Sequence, residues 1–406
     1  MKLLVFAHVP PPHHGQSYMV KLMLDGFGGD ARHRKTSHAG SGIECYHVNA
    51  RFSDTLEDIG TFRFGKFLLL LRYCLSAVGY RFRYGIKAFY YVPAPGKRAA
   101  LIRDWVVMLL CRPFFKHFIH HWHAVGVGDW LQRDGSWIER RLTHWLLGKP
   151  SLGLALAIPS MRDALWFRSK NVELVSNGIP DPCPDFETSV LPQRRQRLTA
   201  RIGLLSGQST EDGESSEDVR VFRILFLGNL LRDKGIFDTL EAVAIANRTL
   251  SVSGSPLRMH LAVAGAFPEG TEEREFRARI DREDLRGSVS LKGFVSGTAK
   301  TELLRQSDCL CFPSYYHAES FGLVVVEAMA SGMAVVTSRW RALPSLLPPD
   351  YPGIVPARDP QAIAAKLIDA MREDATPLRA WYLAHFTEAV HLEHLRDALL
   401  KVAPDG

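Results

Sequence analysis

Cys309-Leu310-Cys311-Phe312-Pro313-Ser314-Tyr315-Tyr316-His317-Ala318-Glu319-Ser320-Phe321-Gly322-Leu323-Val324-Val325-Val326-Glu327-Ala328-Met329-Ala330-Ser331-Gly332 is the stretch on which the reading of this chain turns. The apolar run Cys309–Phe312, ended by a proline, reads as a buried strand, and the run after Phe321 reads as a helix. A helix start carries unpaired amides and the positive end of the helix dipole, so it forms an anion pocket. Gly322 lets the backbone approach a phosphate closely. Glu319 lies just before the helix and Glu327 two turns into it. Two carboxylates beside a phosphate pocket suit hydroxyl donors such as those of sugar and ribose. These residues describe a site for a polyhydroxylated phosphate ligand; a surface loop followed by a buried helix stays open as the alternative.

Outward from this stretch, short β-rich runs alternate with helical ones, the pattern of parallel α/β sheets. In the first half the expected strands are Leu3–His8, Glu44–Val48, Phe89–Val92, His117–Trp122, Leu152–Ala157 and Val172–Val175. In the second half they are Arg223–Leu227, Met259–Ala264, Val289–Leu291, Cys309–Phe312, Ala334–Thr337 and Gly353–Val355. A chain of 406 residues exceeds what one core usually serves, so two domains are expected. Asn177-Gly178-Ile179-Pro180 reads as the turn that closes the first. Residues 191–220 are rich in Arg, then in Ser, Gly and Glu, and the latter part reads as a flexible insertion. Asp359-Pro360 starts a helix well, with Asp as N-cap and Pro at the first helical position.

Hydrophobic residues make up 46% of the chain and charged residues 23%, which is ordinary globular composition. The run Met1–Val9 reads as a first strand rather than a signal peptide, because Pro10-Pro11-Pro12 ends it too soon. No run of roughly 18 apolar residues suits a spanning helix. The six cysteines show no CxxC and no zinc spacing, and read as buried thiols in a reducing cytosol. Charge is uneven: residues 1–180 carry 24 Lys and Arg against 12 Asp and Glu, net +12, and the remainder is net −5. Between Asp58 and Asp129 the only acid is Asp104. Such a face suits an anionic lipid surface or an anionic acceptor, or a solvated surface with no partner; no nucleic-acid module accompanies it. In Lys97–Cys111 the residues Leu101, Ile102, Trp105, Val106, Leu109 and Leu110 form an apolar stripe, read as a core face or as a lipid-contacting one.

Glu319 and Glu327, with seven residues between them and followed by Ala-Met-Ala-x-Gly, resemble the paired-glutamate signature of glycosyltransferase family 4. The resemblance implies an α/β fold of two Rossmann-like domains facing across a cleft, the GT-B architecture. It implies that Glu319 contacts the transferred sugar, that Glu327 contacts the ribose, and that the amides of Phe321, Gly322 and Leu323 meet the donor's sugar-phosphate part. A second match is Phe226-Leu227-Gly228-Asn229-Leu230-Leu231-Arg232-Asp233-Lys234-Gly235. Here Lys234 takes the place of the lysine that grips the diphosphate, Asn229 stands where an arginine is common, and Arg232 is a candidate to compensate. Gly293-Phe294-Val295 resembles the loop that meets the nucleobase. In the first domain Gly15, in Pro10-Pro11-Pro12-His13-His14-Gly15, takes the place of a phosphate-loop glycine. His123, which shares a strand face with His121, takes the place of a histidine near the sugar. Metal binding by His120, His121 and His123 lacks a carboxylate or Cys partner at useful spacing. Gly126-Val127-Gly128 is only a fragment of a dinucleotide fingerprint.

The expected organisation is an acceptor-binding domain at 1–180, a linker with the insertion at 181–220, a nucleotide-sugar-binding domain at 221–375, and a helical segment at 376–406 that packs back toward the first domain. The resemblance implies a retaining, metal-independent hexosyltransferase that needs no cofactor beyond its nucleotide diphosphate sugar. The acceptor expected is a saccharide or lipid-linked saccharide in bacterial surface polysaccharide or glycolipid assembly. The expected location is cytoplasmic, peripheral on the inner face of the plasma membrane, with no nucleic-acid partner. The competing expectations are a sugar-nucleotide epimerase or phosphorylase on the same fold, or a non-catalytic membrane-associated scaffold with a decayed donor site.

Overall fold

The computed structural model describes residues 1–11, 15–33, 41–51, 64–206, 217–268, 272–282 and 285–402. It divides into two compact units: Met1–Gly178 together with Glu388–Gly406, and Ile179–Thr387.

The first unit is a parallel sheet in the order β2-β1-β3-β4-β5-β6. Its strands are β1 (Lys2–Phe6), β2 (Glu44–Val48), β3 (Ala88–Tyr91), β4 (His117–Trp122), β5 (Leu152–Ala155) and β6 (Val172–Leu174). Parallel strands are covered on both faces and so read as continuous apolar runs. The strand alternation divides them cleanly. Leu4, Phe6, Phe89, Phe118 and Trp122 face one core, while Leu3, Val5, Tyr90 and Ile119 face the other. The first core is closed by α2 (Phe64–Tyr84), α3 (Arg98–Cys111), α4 (Val127–Asp134), α5 (Trp137–Leu147) and α6 (Ile158–Trp166); α1 (Gly15–Gly26) closes the second. Helix α5 starts on a capping box in which Ser136 Oγ accepts from the Glu139 amide and the Glu139 carboxylate accepts from the Ser136 amide, satisfying two of the unpaired donors of a helix start.

Helix α3 corrects the expected stripe. Its buried residues are Leu101, Asp104, Val107, Met108 and Cys111, while Ile102 and Leu109 are exposed. The helix is rotated because Asp104 has partners inside: it accepts from the Tyr91 hydroxyl at 2.7 Å and from the Ala94 amide at 2.7 Å. An apolar count cannot foresee a buried carboxylate that is fully bonded.

The second unit is a parallel sheet in the order β12-β11-β10-β7-β8-β9. Its strands are β7 (Val221–Leu227), β8 (Arg258–Ala264), β9 (Val289–Gly293), β10 (Cys309–Phe312), β11 (Ala334–Ser338) and β12 (Ile354–Val355). The helices are α7 (Leu191–Leu205), α8 (Glu217–Arg220), α9 (Ile236–Val252), α10 (Glu272–Arg282), α11 (Gly297–Gln306), α12 (Leu323–Ala330), α13 (Leu343–Leu346), α14 (Pro360–Ala370) and α15 (Thr376–His385). Asp359 caps α14, accepting from the Ala362 amide with Pro360 in the first turn. Helix α7 occupies the Arg-rich part of the expected linker. It is ordered because its arginines find acceptors: Arg194 donates to the carbonyls of Leu304, Ser307 and Ser331. The Ser/Gly-rich segment 207–216, expected to be flexible, lies outside the described residues. All six cysteines are buried free thiols. Helix α16 (Glu388–Leu400) belongs to the first unit, where Leu395, Ala398 and Leu399 join the core that α1 closes.

In each sheet the strand that comes first in the sequence lies inside the order, with later strands on both sides. The order therefore reverses between β1 and β3 in the first unit and between β7 and β10 in the second. Open α/β sheets bind ligands at such reversals, outside the carboxyl ends of the strands.

Candidate functional site

At the reversal in the second unit two loops leave the sheet side by side. The loop after β7 runs through a 3₁₀ turn, Arg232–Lys234, into α9. The loop after β10 runs from Pro313 to Gly322 and enters α12. The Tyr315 amide donates to the Asp233 carbonyl at 2.7 Å, which joins them. Close approach is possible because position 235 is glycine: it has φ +85°, and a Cβ there would lie 2.5 Å from the Pro313 carbonyl oxygen. The β10 loop is also held from β11, where Ser338 Oγ donates to the Ser314 carbonyl and Trp340 Nε1 donates to the Tyr316 carbonyl at 2.8 Å.

This scaffold brings Lys234 and Glu319 together. Lys234 Nζ donates to Glu319 Oε2 at 2.7 Å, and Ser314 Oγ donates to the same oxygen at 2.8 Å. No donor among the described residues reaches Glu319 Oε1. The two side chains are 15% and 8% exposed, so the charges meet in a site largely withdrawn from water. The ammonium also lies 4.4 Å from the centre of the Tyr316 ring, a favourable cation–π distance. Burial, then the charges of Asp233 and Glu319, raise the Tyr316 phenol above its ordinary range, so the ring is neutral. Beside this pair, Gly322 (φ +92°) begins α12. The Phe321 side chain is buried, so that residue can offer a ligand only its backbone. Gly322 and Leu323 are half-buried at the same turn.

Glu327 stands on α12 itself, about one turn further in, and has a partner that sequence spacing did not identify. Lys300 Nζ, from α11, donates to Glu327 Oε1 at 2.7 Å. Asn229 is exposed in the loop after β7. Arg232, the candidate to compensate for it, is turned to another partner in this structure: its guanidinium pairs with Glu275 of α10 at 2.5 Å and lies over the Phe237 ring. Phe294 is 80% exposed after β9, with Val295 half-buried beside it. Ser314 and Tyr316 were visible within the quoted stretch, but without a spacing that marks them as partners of Lys234. Lys300 is 27 residues from Glu327, and no local signal joins them.

In the first unit Gly15 opens α1, and His13 and His14 lie outside the described residues. His123 follows β4 and is half-buried, its ring 4.2 Å from that of His121, as the strand alternation requires. The Tyr90 hydroxyl lies 2.6 Å from His121 Nδ1. Burial holds the Tyr90 phenol protonated and lowers the His121 imidazole well below its ordinary range, so the hydroxyl donates and His121 is a neutral ring protonated on Nε2. Burial likewise pushes His120 down to about 3.

Residues 208–382 match the family model described as glycosyl transferases group 1. Over 121 residues the chain is 40% identical to a phosphatidyl-myo-inositol mannosyltransferase of Mycolicibacterium smegmatis, 30% of either chain being covered. Over 157 residues it is 28% identical to a glycogen synthase of Mycobacterium tuberculosis, covering 38% of this chain and 35% of the relative. The chain thus spans about a third of the length of the curated relatives it matches. Solved structures match along nearly all of it. Anabaena Alr3699/HepE in complex with UDP is similar with a TM-score of 0.65 at 16% identity, over 99% of this chain and 100% of that one. A glycosyltransferase from Rickettsia africae gives 0.66 at 11% identity over the whole of both chains. WaaG, described as a glycosyltransferase of lipopolysaccharide biosynthesis, gives 0.54 at 16% identity over the whole of both chains. At these identities the likeness shows the fold: α/β, with two parallel six-stranded sheets in two domains, the GT-B type.

Proposed function

We propose that the chain is a group 1 glycosyltransferase that moves a sugar from a nucleotide diphosphate donor to a hydroxyl acceptor with retention of anomeric configuration. The observation that carries the reading is the juxtaposition of Lys234 and Glu319 at the reversal between β7 and β10, beside the first turn of α12. Ammonium and helix-start amides suit a diphosphate. The carboxylate, with Oε1 uncommitted, suits the hydroxyls of a hexose. In this reading Lys234 exchanges Glu319 for the donor's phosphate, Glu327 receives the ribose, and Gly293, Phe294 and Val295 border the base. The amides of Phe321, Gly322 and Leu323 meet the sugar-phosphate part, and Asn229 offers an uncharged donor where a cation would be stronger. The first unit, with Gly15 and His123, handles the acceptor.

The bond from the anomeric carbon to the phosphate oxygen breaks with oxocarbenium character. Lys234 and the α12 amides stabilise the departing diphosphate through preorganised charge. The acceptor hydroxyl attacks the same face, and its proton passes to the leaving phosphate oxygen. No cofactor and no metal is assigned, because Lys234 and the amides supply the positive charge the leaving group needs. The acceptor is a saccharide or lipid-linked saccharide in surface polysaccharide or glycolipid assembly. The site of action is the inner face of the plasma membrane. No described helix is long and apolar enough to cross a membrane.

The test is a thermal-shift screen with UDP-, GDP-, ADP- and TDP-sugars in EDTA, followed by product analysis with saccharide acceptors. A donor at a hundred times its dissociation constant adds roughly 2.7 kcal/mol. Replacing Lys234 or Glu319 by Ala should lower turnover by at least ~10²-fold; near-normal turnover in both variants removes the assignment. The exposed Asn229 and the commitment of Arg232 to Glu275 favour one second reading, a non-catalytic scaffold. It predicts donor binding without turnover.

A further inference from the structure

Three neighbouring helices of the first unit each turn an apolar row to solvent. On α2 the residues that face outward are Gly65, Leu68, Arg72, Leu75, Gly79 and Phe82, spaced alternately by three and four, which is one straight helix face. Leu75 is 71% exposed and Phe82 67%. On α3 the outward residues include Ile102 and Leu109, and on α5 Ile138, Arg141 and Trp145, the last 67% exposed. Helix α2 packs on α3 and α3 on α5. Trp105 Nε1 donates to Thr143 Oγ1 at 2.9 Å across the second of these contacts. Phe82 meets Phe114, just past the end of α3, edge to face at 5.8 Å. All three helices give their opposite faces to the same core, through Leu70, Cys74 and Ala77, through Leu101, Val107 and Met108, and through Leu146 and Leu147. Their outward rows therefore form one surface on the side away from the sheet.

The charge of this surface is one-sided. The three helices carry eight Lys or Arg and two acids. Of the two, Asp104 is buried and bonded to Tyr91 and Ala94, and Glu139 is held by Ser136 and by Arg98. Arg72, Arg83 and Arg141 are exposed among or beside the apolar side chains. A soluble monomer rarely exposes so many large apolar side chains together. Apolar rows interleaved with arginine, on helices whose two acids are buried or paired, fit an acyl–headgroup boundary that carries negative charge.

We infer that the outward face of α2, α3 and α5 is a docking surface for an anionic lipid bilayer. Leu68, Leu75, Phe82, Ile102, Leu109 and Trp145 enter the acyl boundary, and the arginines meet anionic headgroups. The bilayer is favoured over a second copy of the chain because the face is uniformly basic, and two such faces would repel. The inference rests on reading the first unit as the acceptor-handling half, since it places that half at the surface where a lipid-linked acceptor resides.

The experiment is co-sedimentation of the full chain with vesicles of phosphatidylcholine alone and with added phosphatidylglycerol, over a salt series. Binding is expected only with the anionic lipid and should weaken as salt rises. The exposed-site pair L75S/F82S should lower partitioning by roughly tenfold or more, with an unchanged melting temperature; R72Q/R83Q should do so on the order of tenfold. If a double variant fails to fold, wild type still decides the matter: Trp145 fluorescence should shift blue on anionic vesicles and be quenched by brominated acyl chains, and W145F should lack that component. No binding of folded protein to anionic vesicles at low salt overturns the inference, as does a wild-type dimer that L75S/F82S converts to monomer. Donor-induced thermal shifts report on the other unit. Vesicle binding without any donor shift would remove the transferase reading alone, and the reverse would remove this one alone.

Discussion

The pairing of Lys234 with Glu319 can be tested by a stability cycle. At 2.7 Å two unit charges attract by about 6 kcal/mol at an effective dielectric constant near 20, before the loss of hydration is subtracted. Both partners are mostly buried, so removing one leaves the other uncompensated, at a cost of about 3 kcal/mol. Lys234→Met leaves Glu319 with Ser314 as its one remaining side-chain donor among the described residues. In a unit of about 200 residues the melting temperature should fall by roughly 6–12 °C. Glu319→Gln leaves the ammonium over the Tyr316 ring and should cost about as much. The double variant K234M/E319Q removes both charges and should lose only about 1 kcal/mol, because nothing charged is left buried. Urea unfolding of the two single variants and the double yields the coupling energy directly. If the single losses add to the double loss within about 0.5 kcal/mol, the pair is not an energetic unit, and Lys234 is free to act without Glu319.

Gly235→Ala should destabilise the second unit by at least about 2 kcal/mol, through its left-handed backbone and the contact with Pro313, and weaken donor binding with it. Gly79→Ala, on the open face of α2, should instead stabilise by about 0.5–1 kcal/mol; equal effects in urea melts would contradict both. Burial pushes His120 down to about 3, against about 6.5 in an unfolded chain. Between these values only the unfolded chain binds the proton. Stability is therefore full above about pH 6.5 and falls toward pH 3 by about 1.4 kcal/mol per pH unit for this residue. His120→Phe should flatten that slope, and an unchanged slope would assign it elsewhere. Arg379 binds Asp181 at 2.5 and 2.6 Å and also donates to the Ala330 carbonyl. Burial alone would raise the Asp181 carboxyl, but the Arg379 hydrogen bonds outweigh it and hold the carboxyl low. The pair therefore stabilises above the ordinary carboxylate range and is lost as pH falls through the lowered value. Arg379→Met should cost about 3 kcal/mol at neutral pH; a loss under 1 kcal/mol in urea titration would show that the pair is dispensable.

The alternation of apolar runs determined the architecture, because a parallel strand buried on both faces must be apolar along its length. Each expected strand is present with ends shifted by a few residues at most, as β10 at Cys309–Phe312 and β1 at Lys2–Phe6 illustrate. Local chemistry was also legible: the Asp359-Pro360 helix start, the glycine before α12, and the two-residue step that sets His123 against His121. The tertiary structure alone decided the partners. That Lys234 meets Glu319, that Glu327 meets Lys300, and that Arg232 turns to Glu275 depends on β7 and β10 lying side by side, although 81 residues separate their ends. Hydrogen-bonded partners of that kind obey no sequence period. The facing of α3 was misjudged for the same reason: a bonded carboxylate, Asp104, belongs inside once Tyr91 and the Ala94 amide are there to receive it. Periodicity reports the cost of exposing apolar surface, whereas the orientation of a polar side chain is set by donors and acceptors that only the folded chain brings within reach.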